Sequence, residues 1–287
     1  MLHEELDIHD TKYQIKASLK IPDNENSKTG IILVHGIIIN RHSLSRGTYS
    51  LAEYLCKELE AYIITPDLLG ETIYKNPTKF KDYSEIINIT ADYLTEKYGI
   101  DELMGFSHSM GSYSLAQSVH SNNKFKSIVN FGSPIKEVDK ISKITFIKSL
   151  IKYISFIKPS INMKIVTNYI FDKETCNYLH DVMMKNERFG YMKYDFNIDL
   201  KMCMDVFNII DEHINLIKKW GKPTLLIFGT LDTLVDITRS HYYDGYVDEN
   251  ITIKHIPECS HVTPCMESVN QLSKLYPIIQ FYKMSKE

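Results

Sequence analysis

The sequence predicts an α/β fold with a mostly parallel central sheet. Short β-branched runs typical of buried strands alternate with longer segments in which apolar residues recur every three or four positions. Parallel strands need crossover connections, usually helices, and such sheets are covered by helices on both faces. The predicted strands are 31–34, 61–65, 103–106, 125–131, 224–228 and 251–256, and the predicted helices include 48–60, 82–98 and 112–120.

Glycine and proline mark the ends of these elements, because glycine permits tight turns and proline interrupts helices and central strands. Gly30 precedes the first strand, and Pro66 ends the second. Gly99 ends the helix 82–98, where a residue that adopts a left-handed conformation is favoured. The later boundaries are Gly132-Ser133-Pro134 after the fourth strand, Pro223 before the fifth and Pro257 after the sixth.

The composition is that of an ordinary globular protein and excludes several classes. The 287 residues are 44% hydrophobic and 24% charged, which excludes a chain that is mainly disordered. The formal net charge is -3, so we do not expect a nucleic-acid partner, since such proteins usually carry a basic excess. The five cysteines lack C-x-x-C spacing, which predicts neither a disulfide framework nor a zinc site.

The location predicted from the sequence is cytoplasmic. The first ten residues carry acids where a signal peptide would need positive charge, and no apolar core follows them. No stretch resembles a membrane span of about 20 apolar residues. An odd number of cysteines also fits a reducing compartment.

The alternation of strands and helices stops between residues 135 and 222, which predicts a helical cap inserted into a core formed by 1–134 and 223–287. Apolar residues recur at helical spacing from Ile141 to Ile154, and 208–219 has a second amphipathic pattern. Seven lysines and two acids between 136 and 164 give that segment a local charge of +5. A basic amphipathic helix can contact an anionic membrane surface, and it can equally cover an active site with its lysines in water.

A turn of small residues joins the third predicted strand to the following helix. A serine at such a turn has an exposed hydroxyl and a strained backbone, and its neighbours two positions away must be small because strand and helix approach closely. This pattern favours Ser109 as a nucleophile. A second register would make Ser107 the nucleophile, and a polar turn without reactivity is a third interpretation. The turn reads Ser107-His108-Ser109-Met110-Gly111.

Other chemistry-bearing residues follow the ends of predicted strands. His35 and Gly36 follow the first strand, Asp232 ends a Gly-x-x-Asp sequence after the fifth, and His261 follows the sixth. Asp236 is the alternative to Asp232 as the acid of a site at these strand ends. His255 is the alternative to His261 as its histidine, although His255 lies inside a strand pattern. Because parallel strands end at one edge of a sheet, these side chains are expected to meet there. The turn after the second strand contains Asp67, to which we assign a structural role.

These motifs resemble those of the α/β-hydrolase serine hydrolases with a helical cap, among them carboxylesterases, monoacylglycerol lipases and lysophospholipases. The resemblance covers residues 30–133 and 220–282. It implies a sheet of about eight strands with helices on both faces and an inserted cap. It also implies a catalytic triad of Ser109, Asp232 and His261, and an oxyanion hole made by the amides of Ile37 and Met110. The supporting residues that it implies are His35, Gly36, Ser107 and Gly111.

The activity that the resemblance implies is hydrolysis of carboxylic esters of apolar acyl groups through an acyl-enzyme, with no metal or organic cofactor. The partner is therefore a small-molecule ester. A histidine base must be neutral to accept a proton, so activity is expected to fall at low pH. The same residues would serve an acyltransferase, a thioesterase or a C–C bond hydrolase, and a ligand receptor without activity is a further alternative.

Overall fold

A computed structural model describes residues 1–36, 39–68, 81–133, 160–162, 197–199, 212–232, 235, 247–266 and 268–285. The strands are β1 Leu2–His9, β2 Gln14–Ile21, β3 Thr29–Val34, β4 Tyr62–Pro66, β5 Glu102–His108, β6 Phe125–Phe131, β7 Ser160–Asn162, β8 Asn197–Asp199, β9 Thr224–Gly229 and β10 Ile251–Ile256. The α-helices are α1 His42–Ser45, α2 Leu51–Leu59, α3 Lys81–Tyr98, α4 Gly111–Ser121, α5 His213–Trp220, α6 Val269–Ser273 and α7 Tyr276–Met284.

Eight of these strands form one sheet, in the order β1-β2-β4-β3-β5-β6-β9-β10. The pairs β1–β2 and β2–β4 are antiparallel, and every other pair in the sheet is parallel. The prediction of an α/β fold with a mostly parallel sheet of about eight strands is therefore confirmed. The carboxyl ends of β3, β5, β6, β9 and β10 lie at one edge, which is where the predicted site residues follow their strands.

The central strands are buried on both faces. Every residue of β3 and of β9 is buried, as expected for parallel strands that helices cover on both sides. By contrast, β1 lies at the edge of the sheet, and most of its residues are exposed or half-buried. The β1 and β2 pair was not predicted, because the polar residues of β1 do not form the apolar run that indicates a buried strand.

The range predicted as an inserted cap lies largely outside the described residues. Within it, β7 and β8 pair as a short antiparallel ribbon, although helical periodicity was expected in almost all of this range. Helix α5 occupies part of the predicted helix 208–219 and ends at Gly221, which has a φ of 69°. It packs on α4 of the core, where the rings of Tyr113 and His213 lie 4.8 Å apart. The last residues of the predicted cap are therefore in contact with the core.

Cys56, Cys259 and Cys265 are buried as thiols. None of the helices that the structure describes is long and apolar enough to cross a membrane.

Candidate active site

Ser109 lies at the turn between β5 and α4, in a left-handed backbone conformation with a φ of 54°. Its amide donates a hydrogen bond to the Phe131 carbonyl oxygen at 2.8 Å, and its carbonyl oxygen accepts one from Ser112 Oγ at 2.5 Å. A Cβ at Gly111 would lie 2.5 Å from the His35 carbonyl oxygen, so only glycine fits there. The small residue two positions after Ser109 is thus required by the approach of α4 to the end of β3.

Ser107 has a different environment. It lies within β5, is fully buried, and donates a hydrogen bond from Oγ to Asn130 Oδ1 at 2.6 Å. Its hydroxyl is therefore engaged with the neighbouring strand β6. Of the two registers that the sequence left open, the geometry favours the one with Ser109 as the nucleophile.

Asp232 and His261 lie on adjacent loops and form a hydrogen bond. His261 Nδ1 lies 2.8 Å from Asp232 Oδ2, and both side chains are almost completely buried. The other carboxylate oxygen, Asp232 Oδ1, accepts the Val235 amide at 2.9 Å. An ionised carboxylate can only accept, so in the neutral imidazole this contact places the proton on Nδ1 and leaves Nε2 as the proton acceptor.

Backbone hydrogen bonds join the loop that carries Asp232 to the loop that carries His261. The Thr230 amide donates to the Ile256 carbonyl oxygen at 3.0 Å, and the Leu231 amide donates to that of Cys259 at 2.8 Å. A Cβ at Gly229 would lie 2.2 Å from the Cys259 carbonyl oxygen, so the two loops can approach only because residue 229 is glycine. The acid and the histidine are thereby held in register by the backbone.

The segment Phe131–Gly132 at the end of β6 contacts both Ser109 and His261. The Phe131 carbonyl oxygen accepts the Ser109 amide, as described above. Gly132 has a φ of 60°, and a Cβ there would lie 3.0 Å from His261 Nδ1. One short segment therefore contacts both the turn of Ser109 and the His261 ring.

The predicted oxyanion residues are only partly described. Met110 precedes the first turn of α4, and the first amides of a helix have no partners within it and lie at the positive end of the helix dipole. Ile37 lies outside the described residues. The preceding Gly36 approaches Ser109 closely, because a Cβ there would lie 3.1 Å from Ser109 Cβ. The end of β3 and the start of α4 thus flank Ser109.

His35 holds the turn after β3 as a neutral ring. Its Nδ1 donates to the Gly36 carbonyl oxygen at 2.8 Å, and its Nε2 accepts the Leu68 amide at 3.0 Å. Burial lowers the pKa of His35 below its ordinary value. The neighbouring Asp67 accepts the Arg41 amide at 2.7 Å and pairs with the Arg41 guanidinium. These contacts fit the structural roles predicted for His35 and Asp67.

The alternative acid and base are placed differently from Asp232 and His261. Asp236 lies outside the described residues. His255 is exposed on β10, at the edge of the sheet, with its ring 5.8 Å from that of Phe228. In the described part of the chain, no group of three or more His, Cys, Asp or Glu side chains is placed to hold a metal ion.

Several residues around the site were not predicted from the sequence. Asn130 receives the Ser107 hydroxyl, and Ser133 donates to Ser112 Oγ at 2.5 Å. His108 contacts the His261 carbonyl oxygen, and Arg41 pairs with Asp67. Each of these contacts joins residues that are distant in sequence, so no local pattern indicates it.

A mostly parallel eight-stranded sheet, with a serine in a strained turn after β5 and a histidine–aspartate pair after the last two strands, defines an α/β-hydrolase. The serine aminopeptidase S33 family matches residues 73–267, about two thirds of the chain. The chain belongs to this family of hydrolases. No curated protein sequence matches the chain significantly.

The chain is similar over nearly its whole length to solved structures with this fold. A soluble variant of monoglyceride lipase from Saccharomyces cerevisiae, in complex with a substrate analog, has a TM-score of 0.73 at 15% identity, covering 99% of this chain and 95% of that one. Monoacylglycerol lipase from Paleococcus ferrophilus has a TM-score of 0.66 at 16% identity, and the match covers 94% of this chain and 99% of that one. The thioesterase domain from the curacin biosynthetic pathway has a TM-score of 0.62 at 13% identity, and the match covers 98% of this chain and 100% of that one. At these identities the likeness shows the fold.

Proposed function

We propose that this protein is a serine hydrolase that cleaves carboxylic esters of apolar acyl groups. Ser109 is the nucleophile, and His261 acts first as the general base and then as the general acid. Asp232 is the carboxylate of the triad, which orients His261 and stabilises its imidazolium form. The observation that carries the proposal is the hydrogen bond from His261 Nδ1 to Asp232 Oδ2 at 2.8 Å, on loops that lie beside the strained turn of Ser109. This contact leaves His261 Nε2 without the ring proton and able to activate a hydroxyl.

The reaction follows from these roles. Ser109 Oγ attacks the ester carbonyl while His261 Nε2 takes the hydroxyl proton. Asp232 stabilises the imidazolium that forms, and the amides of Met110 and Ile37 hold the negative charge on the carbonyl oxygen. The intermediate collapses as His261 gives its proton to the leaving alcohol, which leaves an acyl-enzyme. Water activated by His261 then releases the acid and regenerates Ser109.

The preference for apolar acyl groups is argued from the composition of the insertion. Residues 135–222 are rich in Ile, Phe, Met and Tyr. They follow the carboxyl end of β6, which lies at the site, and they lead to the amino end of β9 at the opposite edge of the sheet. Two similar structures are named monoglyceride and monoacylglycerol lipases, which fits an ester with an apolar acyl chain. The cytoplasmic location, and contact of the basic segment 136–164 with membranes, stay predictions.

The test is labelling and turnover with a matched pair of serine variants. A fluorophosphonate should label Ser109, and Ser109→Ala should lower kcat for p-nitrophenyl esters by a factor on the order of 10³ or more. Ser107→Ala removes a hydroxyl two residues away that bonds Asn130, so it should cost stability but keep the label and most of the turnover. Labelling of Ser107, or full activity of Ser109→Ala, would overturn the assignment.

A thioesterase is the second candidate, because one similar structure is a thioesterase domain. An acyltransferase or a C–C bond hydrolase would use the same residues. The panel of p-nitrophenyl esters should therefore also contain acyl thioesters and competing alcohol acceptors. It should contain an aminoacyl p-nitroanilide as well, which tests the peptidase activity in the family's name. Faster cleavage of thioesters or anilides than of the matched oxygen esters would replace the ester assignment.

A further inference from the structure

His108 joins the nucleophile to the loop that carries the histidine of the site. It precedes Ser109 in the chain, so the peptide bond fixes the two residues to each other. Its Nε2 lies 2.7 Å from the His261 carbonyl oxygen, and the two imidazole rings lie 4.9 Å apart. A single side chain therefore connects the turn after β5 with the loop after β10, across 153 positions of sequence.

The chemistry of the contacts fixes the proton on this ring. A carbonyl oxygen can only accept, so Nε2 carries the proton and Nδ1 has the lone pair. Cys265 Sγ lies 3.8 Å from His108 Nδ1 and can donate its thiol hydrogen to it. Both ring nitrogens thus have partners on the segment that follows β10, and the ring has one orientation in which both contacts are made.

The environment keeps this ring neutral. His108 is buried, and burial, together with the neighbouring His261 ring, lowers the pKa of His108 to about 3. A neutral ring suits this place, because a second positive charge would oppose the imidazolium that forms on His261 during the reaction. The turn after β3 also closes on the ring, since a Cβ at Gly36 would lie 3.2 Å from His108 Nδ1.

We propose that His108 is a positioning residue, which holds the backbone of His261 at a fixed place relative to Ser109 by donating from Nε2 to the His261 carbonyl oxygen. The inference rests on the proposed function, because it assigns a role in setting the geometry of that same pair. The effect is on kcat, since a base displaced from its hydroxyl slows the chemical step without changing how the substrate binds.

The experiment compares two amide side chains of different reach. In His108→Gln the amide N–H would lie near the position of the native Nε2, whereas the shorter side chain in His108→Asn ends near that of Nδ1 and falls short of the carbonyl. His108→Asn should lower kcat by about 100-fold with KM changed by no more than about threefold, whereas His108→Gln should recover at least about a tenth of the wild-type kcat. Equal kcat in the two variants, or a change confined to KM, would overturn the proposal.

Two measurements separate this proposal from the proposed function and from a failure to fold. The rate of fluorophosphonate labelling reports activation of Ser109 without any ester substrate, and it should be higher in His108→Gln than in His108→Asn. Nitrogen NMR of the wild type, with the His108 signal assigned by its loss in His108→Gln, should show a proton on Nε2 that persists from about pH 5 to pH 8. A proton on Nδ1, or a ring that titrates in this range, would overturn the proposal whatever the variants do.

Discussion

At the scale of single residues, Ser109 has a backbone conformation that favours glycine. Its φ of 54° brings Cβ close to the following carbonyl oxygen, which costs about 1–2 kcal/mol in residues other than glycine. Ser109→Gly removes Cβ and should make the protein about 1 kcal/mol more stable than Ser109→Ala, while both variants lose activity. Urea denaturation followed by circular dichroism measures this difference.

The matched control for that prediction is Glu60→Gly. Glu60 also has a positive φ, 49°, where α2 ends, but it lies far from the site in the chain. The Glu60→Gly variant should be more stable than the wild type by a similar amount, and it should retain turnover. If Ser109→Gly is less stable than Ser109→Ala, the strain attributed to the turn is absent.

Buried neutral histidines make stability depend on pH. In the unfolded chain a histidine binds a proton below about pH 6.5, but His108 in the folded protein has a pKa of about 3, and the pKa of His35 is also lowered. The unfolded state therefore binds more protons than the folded state between about pH 6.5 and pH 3, and stability falls as the pH falls through this window. At pH 5 the lowered pKa of His108 costs about 2 kcal/mol.

Replacement of one ring tests this dependence. The free energy of unfolding of the wild type, measured in urea at pH 7 and at pH 5, should drop by about 2 kcal/mol more than that of His108→Gln, because glutamine does not titrate. Comparison of the two drops cancels any loss of stability that the variant has at both pH values. An equal drop in both proteins would show that His108 takes up a proton in the folded state between pH 7 and pH 5, as it does in the unfolded chain.

At the scale of elements, the loops after β9 and β10 act as a unit, and Gly229 is where they touch. Gly229→Ala would place Cβ 2.2 Å from the Cys259 carbonyl oxygen, and backbone cannot move aside as a flexible side chain can. The loops must separate, which should break the contact between Asp232 and His261. We expect a loss of about 2 kcal/mol of stability and about 100-fold of kcat.

Gly221→Ala provides the control at the other end of β9. Gly221 has a φ of 69°, so alanine is strained there too, but the nearest atom to its Cβ is the Lys218 carbonyl oxygen at 3.8 Å. This variant should lose about 1 kcal/mol of stability and keep its kcat. Retained turnover in Gly229→Ala would show that the two loops need not be joined for activity.

The elements that the sequence did not predict lack an unbroken pattern of apolar residues. In 269–284 the buried residues are distributed over two helices, and Pro277 lies in the first turn of the second one, α7. Tyr282 of α7 is fully buried and donates from its hydroxyl to the Gly105 carbonyl oxygen at 2.6 Å. The contact that explains this helix therefore lies 177 positions away in the chain, on β5, the strand that leads to Ser109.

At the scale of the whole molecule, we expect the predicted insertion 135–222 to determine which acyl groups the site accepts. An apolar surface beside Ser109 would bury the acyl chain, at about 0.8 kcal/mol per methylene at best. The efficiency kcat/KM should therefore rise from acetyl esters to an optimum at about four to ten carbons and then fall. A panel of p-nitrophenyl esters measures this, with Ser109→Ala as the blank. A steady decline from acetyl upward would exclude an acyl pocket.

The sequence by itself determined the class of fold and the residues that stand at the ends of its strands. Apolar runs and their periodicity are local properties, because an element that is buried on both faces must be apolar along its own length. This is why β3, β5, β6 and β9 were predicted close to their observed bounds. The glycines and prolines that end them are local signals as well.

Only the tertiary structure decided how the residues at those ends meet. The sequence left Ser107 and Ser109 as two registers, and only the structure shows that the Ser107 hydroxyl is bonded to Asn130 on the next strand. No sequence pattern indicated a partner for His108, although its ring bonds the His261 backbone. The physical reason is that these hydrogen bonds join segments far apart in the chain, and they form only after the parallel strands have been brought side by side.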